Sequence, residues 1–174
     1  MSCNPTSGFL KKAVKLIGDL FARQTIKSDL KRKLETPSEP TVPAFYGLPK
    51  VHKPEPMPLR PIVSCIRFVT YNLATFAARI LGPLVGRSIH HVRNTKDFVE
   101  KIKGIQLLDT ETITSFDVTA FFTSILAEAA LQVVKDKLLH DSTLEKRTNL
   151  SIKQLVDIAD LCLSTMYFLY GGVF

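Results

Sequence analysis

The sequence predicts an α+β protein in which helices predominate, and three observations support this fold class. Apolar residues recur three or four positions apart in several stretches, which is typical of amphipathic helices. Two short strand-like stretches, 44–51 and 59–64, flank a proline-rich loop and predict a hairpin. Residues 112–118 (TITSFDV) alternate and carry β-branched side chains, which predicts a further strand. With 174 residues, 45% of them hydrophobic, the chain is long enough to bury a sizeable core.

The N-terminal segment, residues 1–34, is predicted to be a basic amphipathic helix that covers residues 8–34. Its apolar stripe consists of Phe9, Leu10, Val14, Ile17, Leu20 and Phe21. Basic residues that lie largely off the stripe are Lys11, Lys12, Lys15, Lys31, Arg32 and Lys33. They are placed either to contact phosphates or to form the solvated face of the helix, and the pattern does not decide between the two.

Residues 35–43 (ETPSEPTVP) are a predicted linker, and the hairpin follows it. Five prolines lie between Pro49 and Pro61, both included. Because proline has no N–H to donate to a ladder, we expect an irregular hairpin at the edge of the fold. Its cationic residues, which suit phosphate binding, are Lys50, His52, Lys53 and Arg60.

Apolar spacing and capping residues predict four further helices. These cover 70–86, a stretch from Asn94 or Thr95 to before Gly104, 126–139 and 152–168. We expect Pro83 to perturb the last turn of the first of these. Ser151 is the expected cap of the last. The closing YGGVF is typical of a turn that enters another strand.

The charge is divided unevenly along the chain. Residues 1–105 hold 18 Lys/Arg and 7 Asp/Glu, a net charge of +11, whereas residues 106–174 hold 5 Lys/Arg and 9 Asp/Glu, a net charge of −4. This division favours a polyanion-binding surface beside a region that holds divalent cations. A solvated basic helix explains the charge equally well.

Cysteines, histidines and hydropathy limit the classes of protein to consider. Three distant cysteines, Cys3, Cys65 and Cys162, indicate reduced thiols in an intracellular protein, with the last two expected in the core. The His90-His91 pair has no partner at a zinc-like spacing. The sequence has neither a membrane-spanning apolar run nor a secretory signal.

Asp117 is a single carboxylate in the apolar stretch SFDVTAFFTSI. Carboxylates in such surroundings are usually paired or bind a metal ion, and a strand-end aspartate is suited to Mg²⁺. Asp117 is equally suited to capping a helix that follows the strand. Phe122, beside Phe121, fits the core on pattern alone, and Arg60 fits an ordinary surface position. The residues by themselves leave these alternatives open.

Four motifs occur in the order FYGLPKVHKP, LRPIVS, TYNLATFAARILGPLVG and SFDVTAFFTSI. In this order and spacing the chain resembles the fingers and early palm of Penelope-like retroelement reverse transcriptases, over about residues 43–174. The resemblance implies part of a right-hand polymerase. Residues 44–105 would form a fingers-like region that includes the hairpin, and residues 106–174 an incomplete palm sheet with the first catalytic aspartate.

The resemblance also implies roles for nucleotide-binding residues. Arg60 would contact the triphosphate of the incoming deoxynucleotide, assisted by Lys50 or Lys53. Phe122 would stack under the sugar and exclude a 2′-hydroxyl. The implied partners are an RNA template, a DNA primer and deoxynucleoside triphosphates, in an intracellular and nuclear setting.

For the metal, the resemblance implies that Asp117 is a catalytic Mg²⁺ ligand, joined by the backbone carbonyl of Val118. Two-metal chemistry needs a second acid, and the chain has no Asp-Asp pair. Asp157 and Asp160, on a predicted helix, are poor substitutes. SILAEAA also departs from the family's usual Pro-Ile-acid sequence.

We therefore expect a reverse transcriptase fragment that is inactive as a polymerase on its own. One alternative is a non-catalytic nucleic-acid-binding remnant. The other is a partial gene product without function, in which an open sheet edge and exposed apolar surface lead to poor folding.

Overall fold

The computed structural model describes residues 4–54, 56–118 and 121–171, apart from the side chains of residues 122 and 123. Helices and a small sheet together confirm the α+β class. The helices are α1 (Thr6–Ala22), α2 (Ser28–Leu34), α3 (Tyr71–Leu81), α4 (Thr95–Ile102), α5 (Phe121–Ser124), α6 (Ala127–Leu139) and α7 (Ile152–Ser164), and the strands are β1 (Ala44–Pro49) and β2 (Leu59–Ser64). None of these helices has the length and apolar composition that crossing a bilayer requires.

The prediction of one helix over 8–34 is wrong, because α1 ends in a Schellman motif. The N–H of Gln24 donates to the carbonyl oxygen of Phe21 at 2.9 Å, and the N–H of Thr25 donates to that of Leu20 at 3.1 Å. Gln24 takes a left-handed conformation with φ of 56°. This pair of bonds satisfies carbonyl groups at the helix end and turns the chain before α2 begins.

The hydrophobic core is a cluster shared by α1, α2, α3, α6 and α7. Ile17, Leu73 and Ile158 are almost completely buried at its centre. Burying one such side chain stabilises the fold by roughly 1.5–3 kcal/mol. The cluster thus joins residues from the N-terminal, fingers-like and palm-like segments, whose boundaries stay a prediction.

The predicted helix caps are confirmed. The side chain of Asn94 accepts a hydrogen bond from the N–H of Asp97 at 3.0 Å, and α4 ends before Gly104. Ser151 and Gln154 form a capping box at the start of α7. These side chains satisfy N–H groups that have no partner within the helix.

Two predicted helices are shorter than expected at their C-terminal ends. α3 ends at Leu81 and continues as a 3₁₀ turn over Gly82–Leu84, which confirms the expected effect of Pro83. α7 ends at Ser164 rather than at residue 168.

The predicted strand over 112–118 is wrong. Residues 111–118 have no regular structure, and the sheet in the described part of the chain consists of β1 and β2 alone. A strand requires a hydrogen-bonded neighbour, and the alternation of side chains does not supply one. Ile113 and Phe116 are 73% and 89% exposed instead of packed. The described residues therefore form no palm sheet, and a strand after Gly171 would lie outside them.

Cys65 and Cys162 are free thiols, but both are half-buried rather than part of the core. Cys162 packs against the edge of the hydrophobic cluster. Burial raises the pKa of its thiol to about 11. Cys3 lies outside the described residues.

Candidate functional site

The predicted hairpin is confirmed as an antiparallel pair of strands, with Leu48 opposite Arg60 and Gly47 opposite Pro61. The expected irregularity is not observed, because the register is unbroken from Ala44 to Pro49. The N–H of Lys50 donates to the carbonyl oxygen of Pro58 at 3.0 Å, which continues the ladder beyond the strand ends. A Cβ on Gly47 would lie 2.8 Å from Cδ1 of Leu59. The side chain of Leu59 therefore occupies the space that β1 leaves open at Gly47.

The register divides the hairpin into two faces. Side chains directly opposite each other lie on the same face, and successive side chains alternate. Arg60 therefore shares a face with Leu48 and, two pairs further along the ladder, with Tyr46. Phe45 and its partner Val63 lie on the other face.

Phe45 attaches the base of the hairpin to the residues after α7. Its ring stacks on Phe168, with centroids 4.9 Å apart, and meets the edge of Tyr170 at 5.6 Å. Aromatic pairs in such geometries are stabilising beyond the area they bury. The face that carries Arg60 is consequently turned away from this contact.

The cationic side chains of the hairpin are accessible. His52, Lys53 and Arg60 are exposed, and Lys50 is half-buried. Within residues 4–54, 56–118 and 121–171, none of the four forms an ion pair. The hairpin thus brings the predicted phosphate-binding residues together on one element with their charges uncompensated by a described carboxylate.

Asp117 lies in the irregular segment of residues 111–118 and not on the hairpin. Its side chain is exposed in the irregular segment, between the exposed Phe116 and Val118. Among the described residues, no hydrogen bond or ion pair joins it to Lys50, Lys53 or Arg60. The predicted stacking side chain of Phe122 lies outside the described part of the structure, so its role as a sugar gate stays a prediction.

A two-metal centre is not assembled by the residues that the structure describes. These residues contain no group of three or more Asp, Glu, His or Cys side chains placed to hold a metal ion. Asp117 and the Val118 carbonyl supply one carboxylate and one neutral oxygen, whereas two Mg²⁺ ions call for more carboxylates. Asp117 and the Val118 carbonyl are therefore too few ligands for the two Mg²⁺ ions of the predicted site.

Sequence reasoning missed a cluster of charges around Asp141, which follows α6. Its carboxylate accepts hydrogen bonds from the hydroxyl and N–H of Thr143 and pairs with Arg147 and Arg87. The hydrogen bonds from Thr143, followed by those from Arg147, lower the pKa of Asp141 from 3.8 to about 2. The Asp-x-Thr spacing signals the local turn, but no local pattern signals Arg87.

A second group missed by the sequence is a basic pocket formed by α2, α3 and the loop before α7. Lys27, Lys33, Arg79 and Lys146 line it. The four residues are spread over 120 positions of the chain, so no motif relates them.

Comparison of the chain with protein-family models, with curated proteins and with solved structures finds no match. Of the implied site residues, Lys50, Lys53 and Arg60 lie together on that hairpin, and Asp117 lies in a separate exposed segment.

Proposed function

We propose that the hairpin of residues 44–64 binds phosphate groups of a nucleic acid or nucleotide, as the fingers element of a Penelope-like reverse transcriptase. Residues 44–105 would be the fingers-like region and residues 106–174 the first part of the palm. Two of the four motifs that carry the resemblance, FYGLPKVHKP and LRPIVS, cover the two strands except for Ala44. Their agreement with an observed hairpin supports the proposal.

The observation that carries the proposal is the exposed face of Arg60. A guanidinium presents a planar fork of donors that matches two phosphate oxygens, and lysine adds a mobile point charge. Lys53 lies at the nearby turn and forms no ion pair with a described residue. Tyr46, on the same face and 46% exposed, offers a ring on which a base stacks.

In the parent reaction, the 3′-hydroxyl of a DNA primer attacks the α-phosphate of a deoxynucleoside triphosphate opposite an RNA template. The role proposed for this chain is to bind and orient. Arg60, with Lys50 or Lys53, would hold the triphosphate, and Phe122 would select against a 2′-hydroxyl. Asp117 is the proposed metal-binding carboxylate. We derive no chemical step at it, because the described residues do not supply its partner acids.

The proposal is tested by fluorescence anisotropy with labelled single-stranded RNA over a range of NaCl concentrations. We expect K53Q/R60Q to bind more weakly than the unmodified protein and to show a shallower salt dependence. In a plot of the logarithm of the binding constant against the logarithm of the NaCl concentration, the slope should become less steep by about 0.7 for each lost phosphate contact.

The matched control is K96Q/K103Q, which removes the same charge from exposed positions at α4. This control should affect affinity less than the hairpin pair does. Equal effects of the two pairs would show that net charge, and not the hairpin, determines binding.

A second candidate function is nucleic-acid binding without catalysis. It is favoured by the exposure of Asp117, which has no hydrogen bond or ion pair to a described residue, and by the lack of an Asp-Asp pair in the sequence. A primer-extension assay with Mg²⁺ and deoxynucleotides distinguishes a polymerase from a protein that only binds nucleic acid. We expect no template-dependent synthesis by this chain, and synthesis that is lost in D117N would instead establish it as a polymerase.

A further inference from the structure

A second cationic site lies away from the hairpin, in a pocket of about 470 Å³. The start of α2 forms one wall, Arg79 of α3 another, and the loop of residues 145–150 the third. Phe76, which is buried beneath the guanidinium of Arg79 at 5.8 Å from its ring centroid, forms part of the lining. This volume falls within the range of small-molecule binding pockets.

The lining carries an excess of positive charge. Five cationic residues face two acidic ones, Asp29 and Glu145. Arg32, which does not line the pocket, pairs with Asp29: its Nη2 lies 3.6 Å from Oδ1 of the aspartate. The four cationic residues without an ion pair to any described carboxylate are Lys27, Lys33, Arg79 and Lys146.

Arg147 supplies a second, independent observation. Two of its nitrogens are engaged, since its guanidinium pairs with Asp141 and donates to the hydroxyl of Thr143. Its Nε is buried and has no hydrogen-bond partner among the described residues. A buried donor of this kind is costly unless a further acceptor is supplied.

We propose that this pocket binds a ligand with two or more linked phosphate groups. Several separate cations around one cavity match a polyanion better than a single carboxylate, because each phosphate accepts charge-assisted hydrogen bonds from a different side chain. The ligand is either a free oligophosphate, such as that of a nucleotide, or the backbone of a nucleic acid. The proposal is independent of the hairpin and of the reverse transcriptase assignment.

The test uses the full chain and two probes: sodium tripolyphosphate by calorimetry and a 5′-hydroxyl single-stranded RNA by anisotropy. The pocket variant is K33Q/R79Q, whose side chains are exposed outside the core. K96Q/K103Q is the matched charge control, and K53Q/R60Q reports on the hairpin. Circular dichroism melts verify that each variant is folded.

We expect K33Q/R79Q to weaken binding of at least one probe by about tenfold or more, the value of one charge-assisted hydrogen bond. The control variant K96Q/K103Q should change the affinity for either probe much less. Weakened tripolyphosphate binding identifies a free oligophosphate as the ligand, and an effect on RNA alone identifies the backbone.

K53Q/R60Q leaves the pocket intact, so it should keep the response of the Arg147 Nε resonance to tripolyphosphate even if total tripolyphosphate binding falls, whereas K33Q/R79Q should lose that response; the two proposals therefore fail separately. Titration of the unmodified protein should also shift the ¹⁵N resonance of Arg147 Nε. The proposal is overturned if neither probe distinguishes K33Q/R79Q from the control pair, or if that resonance does not respond to either probe.

Discussion

Arg87 and Asp141, which are 54 positions apart, form an ion pair in which Nη1 lies 3.2 Å from Oδ1. The Asp141 side chain is completely buried, whereas that of Arg87 is about half exposed. The pair connects the loop after α3 to the turn after α6. Arg147 binds the second oxygen of the same carboxylate, so one aspartate organises its own loop and joins it to the loop after α3.

This aspartate predicts a defined acid dependence of stability. Its folded-state pKa, about 2, lies below its ordinary value of 3.8, so its stabilising effect is present above pH 3.8 and is lost as the pH falls through about 2. The difference in unfolding free energy between the unmodified protein and D141N should therefore shrink between about pH 4 and pH 2. Urea unfolding at several pH values measures it. D160N, at an exposed position, is the control, and a pH-independent D141N difference would contradict the prediction.

Gln24 predicts a stabilising substitution. A left-handed conformation costs a residue with a Cβ roughly 1–2 kcal/mol, and glycine avoids that cost but loses more chain entropy on folding. We expect Q24G to raise the free energy of unfolding by about 1 kcal/mol or somewhat less, measured by urea denaturation. R23G is the matched control, because Arg23 has φ of −79° and glycine gains nothing there. A loss of stability in Q24G would show that its φ is not strained.

Phe45 and Tyr46 predict opposite effects from neighbouring positions. F45A removes the contacts with Phe168 and Tyr170, each worth about 0.5–1.5 kcal/mol, so hydrogen exchange of the hairpin amides should accelerate. Y46A should leave that exchange unchanged and weaken RNA binding, because Tyr46 lies on the Arg60 face. Hydrogen-exchange mass spectrometry measures the effect on the hairpin amides, and fluorescence anisotropy measures the effect on RNA affinity. Indistinguishable variants would argue against a hairpin with one docked and one binding face.

Asp117 is predicted to contribute nothing to folding. Its carboxylate is exposed and has no hydrogen bond to a described residue, so D117A should leave the unfolding free energy unchanged within error. Asn94 provides the contrast, since N94A removes an observed helix cap and should cost about 1 kcal/mol. A similar loss in D117A would favour the alternative in which Asp117 caps the following helix.

The elements that local interactions specify were predictable from sequence. Asn94 and Ser151 bond to N–H groups three residues away, and the hairpin forms within residues 44–64 around its prolines. The break after α1 was not predictable in this way, because glutamine is an uncommon residue at a left-handed helix end. Beyond it, Ile26, Leu30 and Leu34 follow at helical spacing, so the sequence does not show the break.

For the candidate site, the sequence indicated Lys50, Lys53 and Arg60, and local pairing places them on one hairpin. It did not indicate which face Arg60 occupies relative to the docked Phe45, or that Lys27, Arg79 and Lys146 line one pocket. Those relationships depend on how α1, α2, α3 and α7 pack. The assignment of Asp117 as a catalytic aspartate stays a prediction from the resemblance.

By itself the sequence determined the α+β class, most helix positions, the cationic hairpin and the single carboxylate in its apolar stretch, because short-range hydrogen bonds and side-chain periodicity govern these features. Only the tertiary structure decided that residues 111–118 are not a strand, that Asp141 pairs with Arg87, and that distant cations converge on one pocket. Each of these depends on a partner far away in the chain. A strand without a neighbour leaves its N–H and C=O groups unpaired, and a buried carboxylate without a cation is too costly to retain.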